Sequence, residues 1–355
     1  MRVYLDHNAT TPLRAEARAA MIAAMDVVGN PSSVHSEGRA AKMLVERARA
    51  QVAQLVGCKT TQVIFTSSAT EAAALAVAQK GRHGGVFGAL ATEHDCLGVW
   101  SEVGIDLASG DVAGAGLVAI SAANSETGIL GDAGRVIGST PQYSTLCDIT
   151  QLAGKMPVRY QDETPSYAIL SAHKMGGPKG VGALINFTAN DPEPILRGGG
   201  QEMNRRSGTE NIIGIAGFGA AAEAAGRDVD TGRWDAVAAL RNNLEQAIAA
   251  ASEQTIFVGK DLPRLPNTTC MLTPGWKGET QVMQMDLAGF AVSAGSACSS
   301  GKVKASKVLQ AMGYNDTDAA SAIRVSLGLE TTQEDVQRFA EAWAMKFEKH
   351  QMRAA

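Results

Sequence analysis

Short apolar runs alternate with segments of helical periodicity along the first two thirds of the chain. Apolar side chains recur at helical spacing over 38–57, and Gly57 lies where a helix would end. Residues 63–65 are then typical of a buried strand, and Ser68 with Glu71 three positions later indicates a capping box at the start of the next helix. Further strands are predicted at 85–91, 117–122, 144–147, 167–170 and 181–185. This alternation indicates an α/β protein with a mainly parallel sheet.

The pattern changes after about residue 230. A long amphipathic helix is predicted at 234–251, followed by strands at 255–258, 269–272 and 290–293 and by helices at 304–312 and 334–347. We therefore predict a large domain over 13–229 and a small C-terminal domain over 230–355, joined by an N-terminal segment, 1–12.

Composition and charge exclude several classes of protein. The 355 residues carry 36 acidic and 32 basic side chains, a formal net charge of −4, and 45% of them are hydrophobic. A disordered chain needs lower hydrophobicity and higher net charge. A dedicated nucleic-acid binder needs a basic excess to neutralise phosphates, which this chain lacks.

The same composition bears on compartment. The N-terminus has no apolar signal core, and no apolar stretch approaches the ~20 residues that span a membrane. The cysteines are odd in number, five, and none forms a CxxC pair, so no metal cage is expected. We expect a cytoplasmic protein with free thiols that binds neither membrane nor nucleic acid.

Polar side chains follow the predicted strands where each strand ends. They are Thr70, His94, Asn124 with Ser125, Asp148 with Gln151, and Ser171 with His173 and Lys174. In open α/β sheets ligands bind outside the carboxyl ends of the strands, so five such ends argue for one shared site. Any one of them alone is better explained as an ordinary strand-end turn.

Lys174 is the first candidate for chemistry. A partly desolvated lysine at a strand end can lose its proton and form a Schiff base. Pyridoxal 5'-phosphate (PLP) enzymes need such a lysine, an acid for the pyridine nitrogen, and a phosphate site. Asp148 is a candidate acid, and the helix start at 68–71 is a candidate phosphate site. Alternatively Lys174 is an ordinary solvated lysine, with Lys179 as its competitor.

Cys298 and Arg324 are two further candidates. Cys298 lies in a Gly/Ser-rich segment, 293–301, which suits an exposed, reactive thiol, although a buried packing role is the alternative. Arg324 is a candidate for binding a substrate carboxylate through its bidentate fork, with a surface salt bridge as the alternative.

Taken together, these motifs resemble the cysteine desulfurases of the NifS/IscS type, which are fold-type I PLP enzymes of aminotransferase class V. The matching stretches are 4–12, 29–33, 65–71, 92–94, 148–151, 171–174, 176–180, 206–209, 295–298 and 323–328. They occur in family order over nearly the whole chain. The resemblance implies a mainly parallel seven-stranded sheet between helices in the large domain and a smaller α+β C-terminal domain.

The resemblance also implies the cofactor site. Lys174 would hold PLP covalently, His94 would stack on its ring, Asp148 would pair with the pyridine nitrogen, and Gln151 would bind the ring oxygen. Four residues would hold the phosphate: Ala69, Thr70, Ser171 and His173. Thr209 would reach the phosphate bound by a partner subunit, which implies a homodimer.

For the substrate, the resemblance implies L-cysteine, with Arg324 and Asn8 binding it and alanine as the product. Cys298 would attack the substrate sulfur and keep it as a persulfide for a sulfur-acceptor protein, in iron–sulfur cluster assembly or thiolation. No metal is implied.

Two departures keep alternatives open. Ser125 stands where the family has an asparagine near the ring oxygen, and the segment from His94 to Asn124 is short for the family. These departures motivate one alternative, a weakened desulfurase that needs an activating partner. The other alternative is a selenocysteine lyase or class V aminotransferase on the same fold.

Overall fold

The computed structural model describes residues 2–105, 112, 114–131, 143–158, 164–295 and 305–354. The chain forms two compact units. The larger unit comprises Thr11–Ala123 and Gly131–Thr231, and the smaller comprises Met1–Thr10, Asn124–Leu130 and Gly232–Ala355. We propose that they are the two domains of the protein.

The elements are numbered along the described chain. The strands are β1 (Val3–Tyr4), β2 (Val63–Thr66), β3 (Phe87–Ala89), β4 (Val103–Gly104), β5 (Leu117–Ser121), β6 (Ser144–Asp148), β7 (Tyr167–Ser171), β8 (Gly182–Asn186), β9 (Ile256–Phe257), β10 (Thr268–Leu272), β11 (Phe290–Ala291), β12 (Ser293–Ala294) and β13 (Ala322–Ser326). The helices are α1 (Ala15–Met25), α2 (Ser36–Val56), α3 (Ala69–Val77), α4 (Asp95–Gly98), α5 (Ile212–Asp230), α6 (Arg233–Ala251), α7 (Gly278–Leu287), α8 (Lys307–Ala311), α9 (Asp316–Ala319) and α10 (Gln333–Ala354).

The described part of the larger unit contains a seven-stranded sheet in the order β2-β8-β7-β6-β5-β3-β4. Strands β7, β6, β5, β3 and β4 are parallel to one another, and β8 is antiparallel to both β2 and β7. The prediction of an α/β fold with a mainly parallel seven-stranded sheet is therefore confirmed.

Helices cover both faces of this sheet. In β7, Ala168 and Leu170 join a core cluster with α1, α2 and α5, whereas Tyr167 and Ile169 join a second cluster with α3. Strands buried on both faces appear in a sequence as continuous apolar runs, which is why periodicity identified them.

The smaller unit has its own core and sheets. Four antiparallel strands lie in the order β12-β13-β10-β9, and β1 pairs in parallel with β11. Trp276, Trp343 and Phe347 pack ring against ring in the core, and the Trp343 indole N–H donates to Gln281 Oε1 at 3.1 Å. This unit is α+β, as predicted.

Local features of the structure agree with the sequence-based expectation in some places and differ from it in others. Helix α2 ends at Gly57, a left-handed cap with φ +69°, as predicted. The Ser68 hydroxyl caps α3, but the Glu71 carboxylate accepts the N–H of Ser67 rather than that of Ser68. The predicted strand at 290–293 is split into β11 and β12, and the short strands β1 and β4 were not predicted.

Within the described residues, no helix combines the length and apolarity that crossing a membrane requires.

A buried ion pair anchors an unusual turn in the larger unit. Glu202, Met203 and Asn204 all have left-handed backbone conformations, with φ of 46°, 57° and 65°. Such conformations are unfavourable for residues with a Cβ. The Glu202 carboxylate accepts both Nη groups of Arg49, at 2.7 and 2.8 Å, and the N–H of Phe65 at 3.0 Å. These three contacts hold the turn against α2 and β2.

Replacing Glu202 by alanine is expected to lower the free energy of unfolding by about 3–5 kcal/mol, because it leaves the Arg49 guanidinium buried without its carboxylate. Urea denaturation followed by far-ultraviolet circular dichroism measures the change. Glu46→Gln is the matched control, since the Glu46 side chain is 46% exposed and contacts the same guanidinium at Nε, at 3.2 Å. The control is expected to change stability by less than about 1 kcal/mol. Equal losses in the two variants would contradict the dependence on burial.

Candidate active site

A row of three strand residues brings the predicted phosphate-binding groups together. Gly182 of β8 pairs with Thr66 of β2 on one side and with Ser171 of β7 on the other. A Cβ on Gly182 would lie 2.5 Å from the carbonyl carbon of Ser68 and 2.8 Å from the amide nitrogen of Ala69. The amino end of α3 therefore rests directly on this glycine, beside Ser171.

The first residues of α3 supply donors for an anion. Ala69 and Thr70 occupy the first turn, where backbone N–H groups have no acceptor within the helix. Together with the helix dipole, such groups favour a bound phosphate. A loop from elsewhere in the unit is fixed at the same end, because Arg206 donates to the Glu71 carboxylate at 2.8 and 3.3 Å.

Thr209 lies on that fixed loop. It lines a cavity of about 260 Å³ together with Thr66, Ser67 and Arg206. Thr209 itself is exposed, and it follows Gly208, whose φ is +105°.

Lys174 lies at the end of a short 3₁₀ turn, Ala172–Lys174, directly after β7. Thr11 holds the turn, because its N–H donates to the carbonyl of His173 at 2.9 Å and its hydroxyl donates to the carbonyl of Lys174 at 3.1 Å. Lys174 is half-buried, whereas the competing Lys179 is exposed. This placement favours Lys174 as the chemical residue.

His173 is neutral in this setting. Burial lowers the pKa of its imidazole to about 4, and the charges of Lys174 and Lys179 add to the effect. A neutral ring carries one N–H donor, which suits a predicted role in binding phosphate oxygens.

Asp148 and Gln151 follow β6, the neighbour of β7 in the sheet. Asp148 is 8% exposed, and its Oδ1 accepts the N–H of Thr150 at 2.8 Å. Buried Lys155, four residues beyond Gln151 in a segment of turns, donates from Nζ to Gln151 Oε1 at 2.8 Å. Because Oε1 accepts from Lys155, the orientation of the Gln151 amide is fixed. Its NH₂ group is then the part that can donate to an acceptor such as a ring oxygen.

His94 caps α4 after β3. Its Nδ1 accepts the N–H of Cys96 at 3.1 Å, which places the proton of the neutral ring on Nε2.

Glu93, which precedes His94, is buried, and its carboxylate contacts β5 just beyond the end of β3. Its Oε1 accepts the N–H of Ser121 at 2.9 Å, and its Oε2 contacts the Ser121 hydroxyl. Ser121 is the register partner of Asp148, so Glu93 joins the His94 loop to the strand ends that carry Asp148.

Three of the predicted residues in the smaller unit, Asn8, Ser125 and Arg324, lie together. Arg324 of β13 donates from Nη1 to the carbonyl of Ser125 at 3.0 Å. Asn8 donates to the same carbonyl at 3.3 Å and to the Thr268 hydroxyl at 2.9 Å, and its Oδ1 accepts from Asn267 at 3.1 Å. Asn8 is 1% exposed, so it contributes to this network from within the core.

Cys298 lies outside the described residues. The other cysteines, Cys58, Cys96, Cys147 and Cys270, are free thiols, and burial raises the pKa of each of them. They are therefore poor nucleophiles at neutral pH. Within the described parts of the chain, no group of three or more metal-binding side chains is arranged to hold an ion.

Comparison with known proteins identifies the family. The family model described as aminotransferase class-V matches residues 3–104 and 112–339. The chain belongs to this family, among the cysteine desulfurases. It is 36% identical to a cysteine desulfurase of Frankia sp. (strain EuIK1), over 96% of this chain and 90% of that one. It is 33% identical to the cysteine desulfurase IscS of Dictyoglomus turgidum, over 94% of this chain and 91% of that one. The crystal structure of a NifS-like protein from Rickettsia africae matches 98% of this chain and all of that one, with a TM-score of 0.89 and 30% identity.

Class V aminotransferases of the desulfurase type depend on PLP. The donors present in the larger unit fit this cofactor. Its aldehyde, pyridine nitrogen and phosphate require an amine, a buried carboxylate and anion-binding N–H groups, and these are Lys174, Asp148 and the start of α3 over Gly182. The cradle that a Cβ at position 182 would fill is the most specific of these features.

Three residues of this desulfurase that were not predicted from the sequence lie against the predicted site residues or against their strand partners. Glu93, Lys155 and Asp6 each contact a predicted residue or its strand partner. Lys155 had a signal in the sequence, since an i, i+4 spacing from Gln151 places two side chains on one side of a helical turn. Glu93 and Asp6 are identified only by contacts between distant segments.

Glu93 gives the desulfurase a pH-dependent contribution to stability. Burial, with a smaller contribution from the charge of Asp148, raises the pKa of the Glu93 carboxyl to about 7 against the opposing effects of Ser121 and His94. In the unfolded chain the pKa of a glutamate carboxyl is ~4.3. The folded state therefore holds this proton more tightly, and the stability it contributes at low pH is lost as the pH rises through about 7.

Glu93→Gln removes the ionisable group and keeps acceptor and donor atoms for Ser121. At pH 8 the variant is expected to be more stable than the wild type, on the order of 3 kcal/mol, with the difference shrinking as the pH falls and vanishing below about pH 4. Thermal unfolding at three pH values measures this. The control is Glu102→Gln, since Glu102 also accepts a backbone N–H but a hydrogen bond from Lys80 lowers its pKa, so its effect should not change between pH 5 and 8. A difference at Glu93 that is independent of pH would contradict the assignment.

Proposed function

We propose that this protein is a PLP-dependent cysteine desulfurase that converts L-cysteine to L-alanine and keeps the sulfur as a persulfide on Cys298. The observation that carries the proposal is the arrangement in the larger unit of Lys174, Asp148 and the start of α3 over Gly182. The curated relatives are named cysteine desulfurases, which does not favour a selenocysteine lyase or an aminotransferase.

When bound, PLP supplies an electron sink for the substrate. The protein supplies the groups that hold it. N–H groups of Ala69 and Thr70, the hydroxyl of Ser171 and the imidazole of His173 bind the phosphate. Asp148 holds a proton at the pyridine nitrogen. Gln151, oriented by Lys155, donates to the ring oxygen, and the imidazole of His94 stacks on the ring and carries a proton at Nε2.

Lys174 provides the amine that links cofactor and protein. Its backbone is fixed by Thr11, so its side chain has a defined origin at the end of β7.

For the substrate, Arg324 binds the carboxylate. Asn8 serves this binding indirectly, because its amide holds the Ser125 carbonyl to which Arg324 donates. The Ser125 hydroxyl is assigned to the position near the ring oxygen.

Sulfur transfer is assigned to Cys298. Its thiolate attacks the sulfur of the bound cysteine, and a sulfur–sulfur bond forms as the carbon–sulfur bond breaks. The electron pair of the broken bond stays on the substrate carbon, which takes up a proton, so alanine leaves and Cys298 carries the additional sulfur. A sulfur-acceptor protein then takes the sulfur.

The assembly and location are parts of the same proposal. A homodimer places Thr209 of one subunit at the phosphate bound by the other, and the exposure of Thr209 supports this role. The free cysteines support a reducing, cytoplasmic location.

The proposed chemistry predicts equal amounts of alanine and sulfide from L-cysteine in the presence of a thiol reductant. Lys174→Ala is expected to lose the yellow cofactor band and the activity by at least about 10³-fold, because no amine remains to form the covalent link. Lys179→Ala, the matched control, keeps both. Visible spectra and product analysis measure these outcomes.

Other products would identify another function. Keto-acid-dependent amino transfer without sulfide would assign the protein to the aminotransferases. A yellow protein that turns over cysteine only with an added partner protein would identify a desulfurase that needs an activator.

Cys298→Ala is expected to keep the cofactor band and lose persulfide formation, because the attacking thiol is gone. Cys58→Ala is the control, since burial raises the pKa of the Cys58 thiol to about 12. Labelling of the protein-bound persulfide after one turnover measures the difference. Undiminished sulfide release from Cys298→Ala would overturn the role of Cys298.

A further inference from the structure

Arg324 is held in the smaller unit by two different oxygen acceptors. Its side chain is 5% exposed. Nη1 donates to the carbonyl of Ser125 at 3.0 Å, and Nη2 donates to Asp6 Oδ1 at 2.8 Å. One acceptor is neutral and the other carries a full negative charge, so the guanidinium is fixed in position and partly neutralised.

Asp6 is itself fixed. Its other oxygen, Oδ2, accepts the hydroxyl of Ser293 at 2.8 Å, and its backbone bridges to Ser326 at the end of β13. Ser293 is the register partner of Arg324 across β12 and β13. The carboxylate is therefore held from both sides and cannot rotate away from the guanidinium without losing the Ser293 hydrogen bond.

The third nitrogen of Arg324 is not used by these contacts. Nε is buried and has no hydrogen-bond acceptor within the described residues. Guanidinium groups bind carboxylates through two parallel N–H groups, and a buried N–H without an acceptor is unfavourable. A substrate carboxylate that accepts from Nε would relieve this deficit and would lie on the same guanidinium as Asp6.

We propose that Asp6 is a positioning and specificity-determining residue, which orients Arg324 through Nη2 and by its charge limits the affinity of Arg324 for the substrate carboxylate. This inference rests on the proposed function, in which Arg324 binds that carboxylate. Two carboxylates on one guanidinium repel each other, and a partly neutralised guanidinium attracts a second anion less strongly. Such an arrangement favours release of the carboxylate-bearing product after turnover.

Asp6→Asn removes the negative charge at position 6 and keeps the hydrogen bond that orients Arg324. Asparagine retains an oxygen acceptor for Nη2, and its NH₂ can donate to the Ser293 hydroxyl, but the negative charge is gone. With holoenzyme, isothermal titration calorimetry is expected to show L-alanine binding roughly threefold to tenfold tighter than in the wild type. The KM for L-cysteine is expected to fall by a similar factor while kcat stays constant or falls through slower product release.

Two variants test the orienting role. Asp6→Ala removes the acceptor as well as the charge, and its dissociation constant for L-alanine is expected to be roughly tenfold higher than that of Asp6→Asn. Ser293→Ala keeps the charge of Asp6 and removes only its second hydrogen bond, so it is expected to weaken L-alanine binding relative to the wild type. Ser293→Ala tests the same role if Asp6→Ala does not fold.

Ethylamine and Glu245→Gln are the controls. Ethylamine is L-alanine without its carboxylate, so its binding should be unchanged in every Asp6 and Ser293 variant. Glu245 pairs with Arg264 at 2.7 and 3.0 Å in the same unit, and Glu245→Gln should leave L-alanine binding unchanged.

Asp6→Asn with unchanged or weaker L-alanine binding would overturn the inference, and so would a wild type that binds L-alanine no better than ethylamine. Sulfide production by the wild type, measured separately, shows whether the proposed activity stands in either case.

Discussion

Burial of the central sheet on both faces is the constraint on which the larger unit depends. Because helices cover β6 and β7 on each side, the inner residues of these strands are mostly apolar, and most of their polar side chains lie at the strand ends. Asp148 and Ser171 are the last residues of adjacent parallel strands, so they leave the sheet at one edge. The fold that buries the apolar runs therefore also gathers the polar groups that we propose bind the cofactor.

Close backbone approach is the second requirement, and glycine meets it at defined points. Gly182 allows the start of α3 to rest on β8, where any Cβ would meet backbone atoms of Ser68 and Ala69. Gly219 lets α5 approach α2, since a Cβ there would lie 2.5 Å from the Cα of Ala48. In both places a side chain would push apart the elements that carry or support the site, which flexible neighbours cannot correct because the contacts are with backbone.

Features that lie within a few consecutive residues could be predicted from the sequence, and features formed between distant segments could not. The cap at Ser68, the left-handed Gly57 and the segment from Ser171 to Lys174 each depend on neighbouring residues, and the fold class follows from periodicity. Helix α5 was not predicted, because its glycines lower helix propensity while serving tertiary packing. Glu93 and Asp6 acquire their roles from partners 28 and 318 positions away.

A comparison of two buried arginines distinguishes a structural cation from one available to a ligand. Every nitrogen of Arg49 has an acceptor: Nε contacts Glu46, and the two Nη groups contact Glu202 and the carbonyl of Val63. Arg324 has acceptors at Nη1 and Nη2 only, and its Nε lacks one within the described residues. Folding alone gives every nitrogen of the first guanidinium an acceptor and leaves Nε of the second without one among the described residues. This difference supports our proposal that Arg324, and not Arg49, binds the substrate carboxylate.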